Sequence, residues 1–189
     1  MAKEVGYINN DSQNVTVGKG RVTGYLFVAP NGTALPTDAT TDLPDTFKNL
    51  GYIDEDGVTE TVDTSSEDIK DINGDILLTE ITENKKTWQF KLLEIRADVL
   101  KFVFGEENVT VDEQGNVKGW KDTAPAYKNC VLVREHVLSN GQRLRVIAPL
   151  AKITELGDRE YQSGEAVKYD VTVTLTKDTN SVREYTYKG

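Results

Sequence analysis

The 189-residue chain carries 31 acidic and 22 basic side chains, a formal net charge of −9, with 38% hydrophobic and 28% charged residues. This length fits one domain, or one domain with arms, and the acidic balance argues against tight phosphate binding, which needs clustered Lys and Arg. Cys130 is the only cysteine, so an intrachain disulfide is excluded and a thiolate metal cluster would need cysteines from other chains.

Met1–Asn10 lacks the apolar core of a signal peptide, and no stretch approaches the roughly 20 apolar residues that span a bilayer. Synthesis and use in the cytoplasm is the expectation. Residues 1–20 hold few apolar anchors and read as an N-terminal arm, ahead of a single β-domain over 21–189. Gly24–Ala29 is a compact apolar strand, followed by a Gly- and Pro-punctuated loop from Pro30 to Pro36. Asp42, Pro44 and Gly51 bracket one short helical turn around Phe47 and Leu50.

Between Asp54 and Asp75 stand nine acids against the single base Lys70, a net of −8 that leaves −1 for the rest of the chain. This run alternates poorly and is polar on both faces, so it reads as a long acidic loop or hairpin with no reason to pack in an isolated subunit. A solvated loop is the plain reading, and a surface shaped for assembly or for repelling an anion is the sharper one. Next, Asp75–Glu83 and Thr87–Leu93 form a strand pair around Asn84-Lys85-Lys86, with Trp88, Phe90 and Leu92 on one face. Ala97–Phe104 switches to helical spacing, with Gly105 placed to end the helix.

Cys130–Leu138 and Gln142–Thr154 flank Ser139-Asn140-Gly141, where Asn-Gly suits a tight type I′ turn. Pro149 cannot donate to a ladder, which puts the second strand at an edge or bends it there. Val167, Tyr169, Val171, Val173 and Leu175 alternate with polar residues, and with Tyr185 and Tyr187 beyond the turn at 177–180 they read as a terminal hairpin over 166–187. Many short strands and one small helix give a mainly β fold, a sandwich or barrel with a short flanking helix at about 97–104.

Catalytic chemistry finds little support. His136, the only histidine, lies on the same strand as Cys130 but about 20 Å away, too far for a nucleophile–base pair. Asp71-Ile72-Asn73-Gly74-Asp75 misses the glycine and glutamate positions of a calcium loop. Gly18-Lys19-Gly20 lacks the spacing of a phosphate loop. Trp88 and Trp120 could stack on sugars, yet Trp88 alternates with Phe90 and Leu92 as a core residue does. A glycosidase-type pair among the 31 carboxylates, which forms only in space, weighs least. No enzyme, metal or cofactor is expected.

Several segments together resemble the major tail proteins, or tail tube proteins, of siphophages. They are Val15–Lys19, Gly32–Asp38, Phe47–Ile53 followed by Glu55-Asp56-Gly57, Asp98–Lys101 with Gly105, and Gly164-Glu165-Ala166 leading into the strand that ends at Leu175. The resemblance implies a β-sandwich with one flanking helix, six copies closing into a ring, and rings stacking into the hollow tube that DNA traverses during ejection without specific binding. Its partners would be further copies of the chain and the tape measure, tail initiator and tail terminator proteins, in a virion with no membrane contact. On that reading an inter-ring loop would use Asp54, Glu55, Asp56, Glu60, Asp63, Glu67, Asp68 and Asp71, with Lys19, Arg21, Lys85 and Lys86 as the basic counter-surface. Deleting residues 58–70 would then leave a folded monomer unable to form tubes. A β-sandwich binding module, a virion decoration or host-surface glycan-binding domain, is the alternative.

Overall fold

In the computed structural model residues 12, 15–21, 23–123, 126–159, 161 and 163–189 are described; most of the expected arm, residues 1–11 with 13 and 14, lies outside them. The frame is the antiparallel pair β8 (Cys130–Leu138) and β9 (Arg143–Leu156). Their turn follows the sequence in place but not in type. Gly141 N–H donates to Leu138 O at 2.9 Å, Leu138 N–H donates to Gln142 O at 2.8 Å, and Gly141 has φ +84° while Asn140 does not take a positive φ. This is a three-residue loop with a left-handed glycine in last place, so a single residue supplies the positive angle where type I′ needs two.

Each outer side of this pair is covered by two strand segments lying end to end. Beyond β8, β1 (Gly18–Gly20) pairs with His136–Leu138 and β2 (Leu26–Pro30) with Cys130–Arg134. Beyond β9, β10 (Tyr169–Leu175) covers Ala151–Leu156 and β11 (Tyr185–Lys188) covers Leu144–Ile147. The expected terminal hairpin is therefore corrected: β11 does not fold back on β10. Asp178 closes the intervening loop, its carboxylate accepting from the N–H groups of Asn180 and Val182, both at 2.9 Å, and from Tyr185 Oη at 2.7 Å. The chain thus resumes its original direction along β9. Pro149 falls between the two paired stretches of β9, in a central strand rather than at an edge, where a missing N–H breaks no ladder bond.

On the far side of β10 follow β5 (Ile76–Leu92) and β4 (Ile53–Lys70), and on the far side of β2 the two-residue β3 (Lys48–Asn49). The helical turn expected at 42–51 is a single tight turn, Phe47 N–H to Pro44 O at 2.9 Å, because Leu50 N–H is drawn to Leu26 O at 2.9 Å and the chain extends. The reversal expected at Asn84–Lys86 is also corrected. Those residues run straight through β5 opposite Thr64, Asp63 and Val62, and the chain turns instead at Asp71–Asp75. There Asp71 accepts backbone N–H bonds from Asn73 at 2.8 Å and Asp75 at 2.9 Å, and Gly74 takes φ +90°. Asn-Lys-Lys offers neither device.

The sheet order is β3-β2-β8-β9-β10-β5-β4, open at both ends, and β6 (Val109–Val111) pairs with β7 (Val117–Trp120) in a separate two-stranded sheet. The fold is mainly β, as expected. Helix α1 spans Ala97–Phe104 and stops at Gly105, φ +90°, whose N–H bonds Lys101 O. It lays Val99, Leu100, Val103 and Phe104 on Trp88, Phe90, Leu92, Tyr169, Val171 and Val173 in the main core. A smaller cluster of Ala29, Phe47, Val131, Val133 and Ile147 fills the other face. Neighbouring residues of β8 thus point into different cores, which explains the apolar stretch Cys130–Val133 at its start.

Gly51, at φ +77°, sits where an added Cβ would overlap the Glu94 carboxyl, which also accepts the Tyr52 N–H at 2.8 Å. Gly51→Ala combines left-handed strain with loss of that contact. It is expected to cost about 1–3 kcal/mol, read as a lowered midpoint in chemical denaturation.

Candidate assembly surface

β10 holds β5 only from Lys86 to Leu92. From Ile76 to Lys85, β5 pairs among the described residues with β4 alone, so the distal hairpin is a two-stranded ribbon reaching on the order of 30 Å beyond its last anchoring pair. A bare two-stranded ribbon is marginal in water, and the side chains it shows to solvent are not all polar. Ile69, Ile72, Ile76, Leu77, Leu78 and Ile81 gather toward its end, with exposures from 49% to 101%. Exposed large apolar side chains concentrated in one segment mark an interaction site more often than ones scattered singly. The count of acids over 54–75 hides this tip, although Ile72, the Ile76-Leu77-Leu78 run and Ile81 were legible as a signal in the sequence.

The structure divides the eight acidic candidates into two sets. Asp54, Asp56 and Glu60 are held by the body. Asp54 accepts from Lys168 at 2.8 Å, a bond that pulls its carboxyl below the usual range, and Asp56 pairs with Lys91 at 3.3 Å. Glu60 meets Lys86 at 2.7 Å and Arg134 at 2.6 Å; burial pushes its pKa up, but those two bonds outweigh burial and leave it lowered. Glu55 is exposed near them. Asp63, Glu67 and Asp68 are exposed on the ribbon, Asp68 accepting from Thr79 Oγ1 at 2.7 Å, and Asp71 holds the turn.

Of the basic candidates, Arg21 is bonded to Glu135 at 2.9 Å and lies 3.5 Å from Asp42, and Lys86 reaches Glu60 and Glu184. Both charges are already matched within the chain. Lys85 stands opposite Asp63 on the ribbon, and Lys19 is exposed on β1 opposite Val137.

Cys130 and His136 occupy separate environments on β8. Burial pushes the Cys130 thiol up to about 12, and its Sγ–H donates to Ala151 O at 3.4 Å. His136 meets the Tyr25 ring edge-on at 4.9 Å, and burial, then the charge of Arg134, lowers its pKa. Trp88 is fully buried, and Trp120 stacks on Phe104 at 6.0 Å. An open groove of about 1060 Å³ between α1, β2 and the start of β8 is lined by Val28, Phe102, Tyr127 and Ile153. Among the described residues no three His, Cys, Asp or Glu side chains are grouped to hold a metal. No helix there is long and apolar enough to cross a membrane.

A family model described as phage tail tube protein matches residues 8–187. The chain belongs to the phage tail tube protein family. Its role is therefore structural rather than enzymatic, that of a tail tube component of a virion. No curated protein matches it. Among solved structures it overlaps a chain of the sheath-tube complex of an extracellular contractile injection system in the extended state, with TM-score 0.40, 8% identity and coverage of 90% of this chain and 93% of that one. It also overlaps the tube-terminating cap of the anti-feeding prophage, at 0.43, 8% and 100% of both chains. The sheath/tube terminator of an extracellular contractile injection system follows, at 0.38, 9%, and 86% and 92%. Overlaps this loose carry no weight; the assignment of this tail tube protein to its family stands on the sequence match.

Proposed function

We propose that this tail tube protein is the major tail protein of a siphophage, six copies of which close into a ring while rings stack into the hollow tube through which DNA is ejected. The observation that carries the reading is the projecting ribbon with its exposed apolar tip, a surface that an isolated subunit leaves uncovered. Ring closure needs a head-to-tail interface that closes, and stacking needs a second that does not. Among the described residues no strand pairs with the outer edge of β4 or with the far edge of the short strand β3, so neighbouring subunits can continue the sheet and remove the hazard of bare edges. The hairpin then serves as the inter-ring element. Asp63, Glu67, Asp68 and Asp71 are its acidic contacts, with Lys19 and Lys85 of neighbouring copies as the available bases. Tape measure, initiator and terminator proteins would complete the tail, assembled in the host cytoplasm.

Electron microscopy of the purified, concentrated protein is expected to show six-fold rings or tubes. Persistent monomers by microscopy and light scattering, even with an initiating tail complex supplied, would sink the proposal.

A further inference from the structure

Where the ribbon leaves the body, four charged side chains from separate segments converge over Trp88. Glu60 of β4 lies 2.7 Å from Lys86 of β5 and 2.6 Å from Arg134 of β8; Lys86 lies 2.9 Å from Glu184, just before β11, and Arg134 lies 4.0 Å from it. The Arg134 guanidinium covers the Trp88 ring at 4.5 Å from its centroid. Two cations and two anions leave the cluster neutral, and every member is at most 31% exposed.

Its position is specific. Lys86 is the last β5 residue paired with β10, opposite Leu175, and beyond it no further strand among the described residues lies beside the ribbon. The one other tie among the described residues is Arg183, which reaches Asn84 at 2.8 and 3.1 Å from the segment that also carries Glu184. A swing of the ribbon that reaches down to the Glu60–Trp88 pair pulls Glu60 and Lys86 away from Arg134 and Glu184. The cluster is also poorly arranged for stability alone. Trp88 Nε1–H and Arg134 Nε–H are buried donors with no acceptor among the described residues, and such groups cost stability that an apolar root would not.

We infer that the Glu60–Lys86–Arg134–Glu184 cluster is a clamp that fixes the direction in which the hairpin projects, so that these side chains position the assembly element instead of touching the next subunit. The inference rests on the hairpin being that element. It moves Glu60 and Lys86 from the intermolecular contact to the internal geometry that presents it.

Spin labels at Glu80→Cys on the ribbon and Gln142→Cys on the body, in a Cys130→Ser background, report the angle as a distance distribution in the unassembled full-length protein. Glu60→Ala is expected to widen that distribution at least twofold while cooperative unfolding is retained, and to abolish tubes. Lys86→Ala serves as a second variant should Glu60→Ala fail to fold. Asp63→Ala, on the opposite face of the ribbon, is expected to leave the distribution unchanged. An unwidened distribution in both clamp variants overturns the inference, and tube loss without widening would make Glu60 an intermolecular contact. Widening with tubes still formed supports the clamp and counts against the hairpin as the assembly element.

Discussion

Arg145→Met is expected to destabilise the protein by about 3–5 kcal/mol, the cost of stranding one partner of a buried ion pair. Arg145 is 1% exposed and Glu135 3%. The guanidinium donates from Nε to Glu135 Oε1 at 2.8 Å, from Nη1 to Asp38 O at 2.8 Å and from Nη2 to Thr41 O at 2.7 Å. It therefore staples the 38–42 segment to β8 and β9 above the smaller core. Asp38 organises the same segment from within. Bonds from Thr41, first its N–H at 2.6 Å and then its hydroxyl, and from Thr40 hold the Asp38 carboxyl well below the usual range. Removing Arg145 leaves Glu135 with the partly buried Arg21 as its remaining cation and orphans two carbonyls. The double variant Arg145→Met with Glu135→Leu should recover the part of the loss that comes from the stranded carboxylate, while the carbonyls of Asp38 and Thr41 stay unpaired. Urea titration checks this through the midpoint at constant slope. A cost below about 1 kcal/mol for Arg145→Met would mean that the pair does not hold the segment.

Shortening the hairpin is expected to separate folding from assembly completely. Joining Asp63 to Lys85 through Asn-Gly, with residues 64–84 removed, keeps the cross-strand register of the remaining pairs and supplies a two-residue turn that suits it. The variant should unfold at a midpoint within a few degrees of the parent, because every residue removed lies outside both cores. It should form no tubes even at concentrations about tenfold above those at which the parent assembles. Sedimentation and microscopy read both outcomes, and tubes of normal appearance would remove the hairpin from the assembly mechanism. Deleting 58–70 is not an equivalent experiment. Val58 packs against the main core and Glu60 belongs to the root clamp, so that deletion damages the fold as well as the ribbon.

Gly105 and Gly141 announced the end of α1 and the β8–β9 turn, because a positive φ is a requirement of one residue and its immediate neighbours. The alternation from Tyr169 to Leu175 and from Trp88 to Leu92 likewise named the faces that are buried, since side-chain period is a property of the strand itself. Nothing local told where β11 would pair. Its alternation is equally good beside β10 or beside β9, and the choice fell to the Asp178 loop and to the uncovered edge at Leu144–Ile147. The hairpin turn was misplaced for a related reason: Asn84–Lys86 looks like a break until Asp63 and Val62 lie beside it, and Asp71 outcompetes it by capping its own turn.

The sequence by itself determined a mainly β chain with one short helix, the location of its excess negative charge, and the family to which it belongs. Tertiary structure alone decided that the charged run splits at Glu60 into an ion-paired root and a projecting ribbon, that the apolar residues around Ile76 stay exposed on that ribbon, and that Arg145 finds Glu135 and the carbonyls of Asp38 and Thr41. Those partners lie 10 to 107 residues apart. Turn angles and side-chain periods act within a few residues, whereas ion pairs and strand edges are matched only after the chain has closed its long loops.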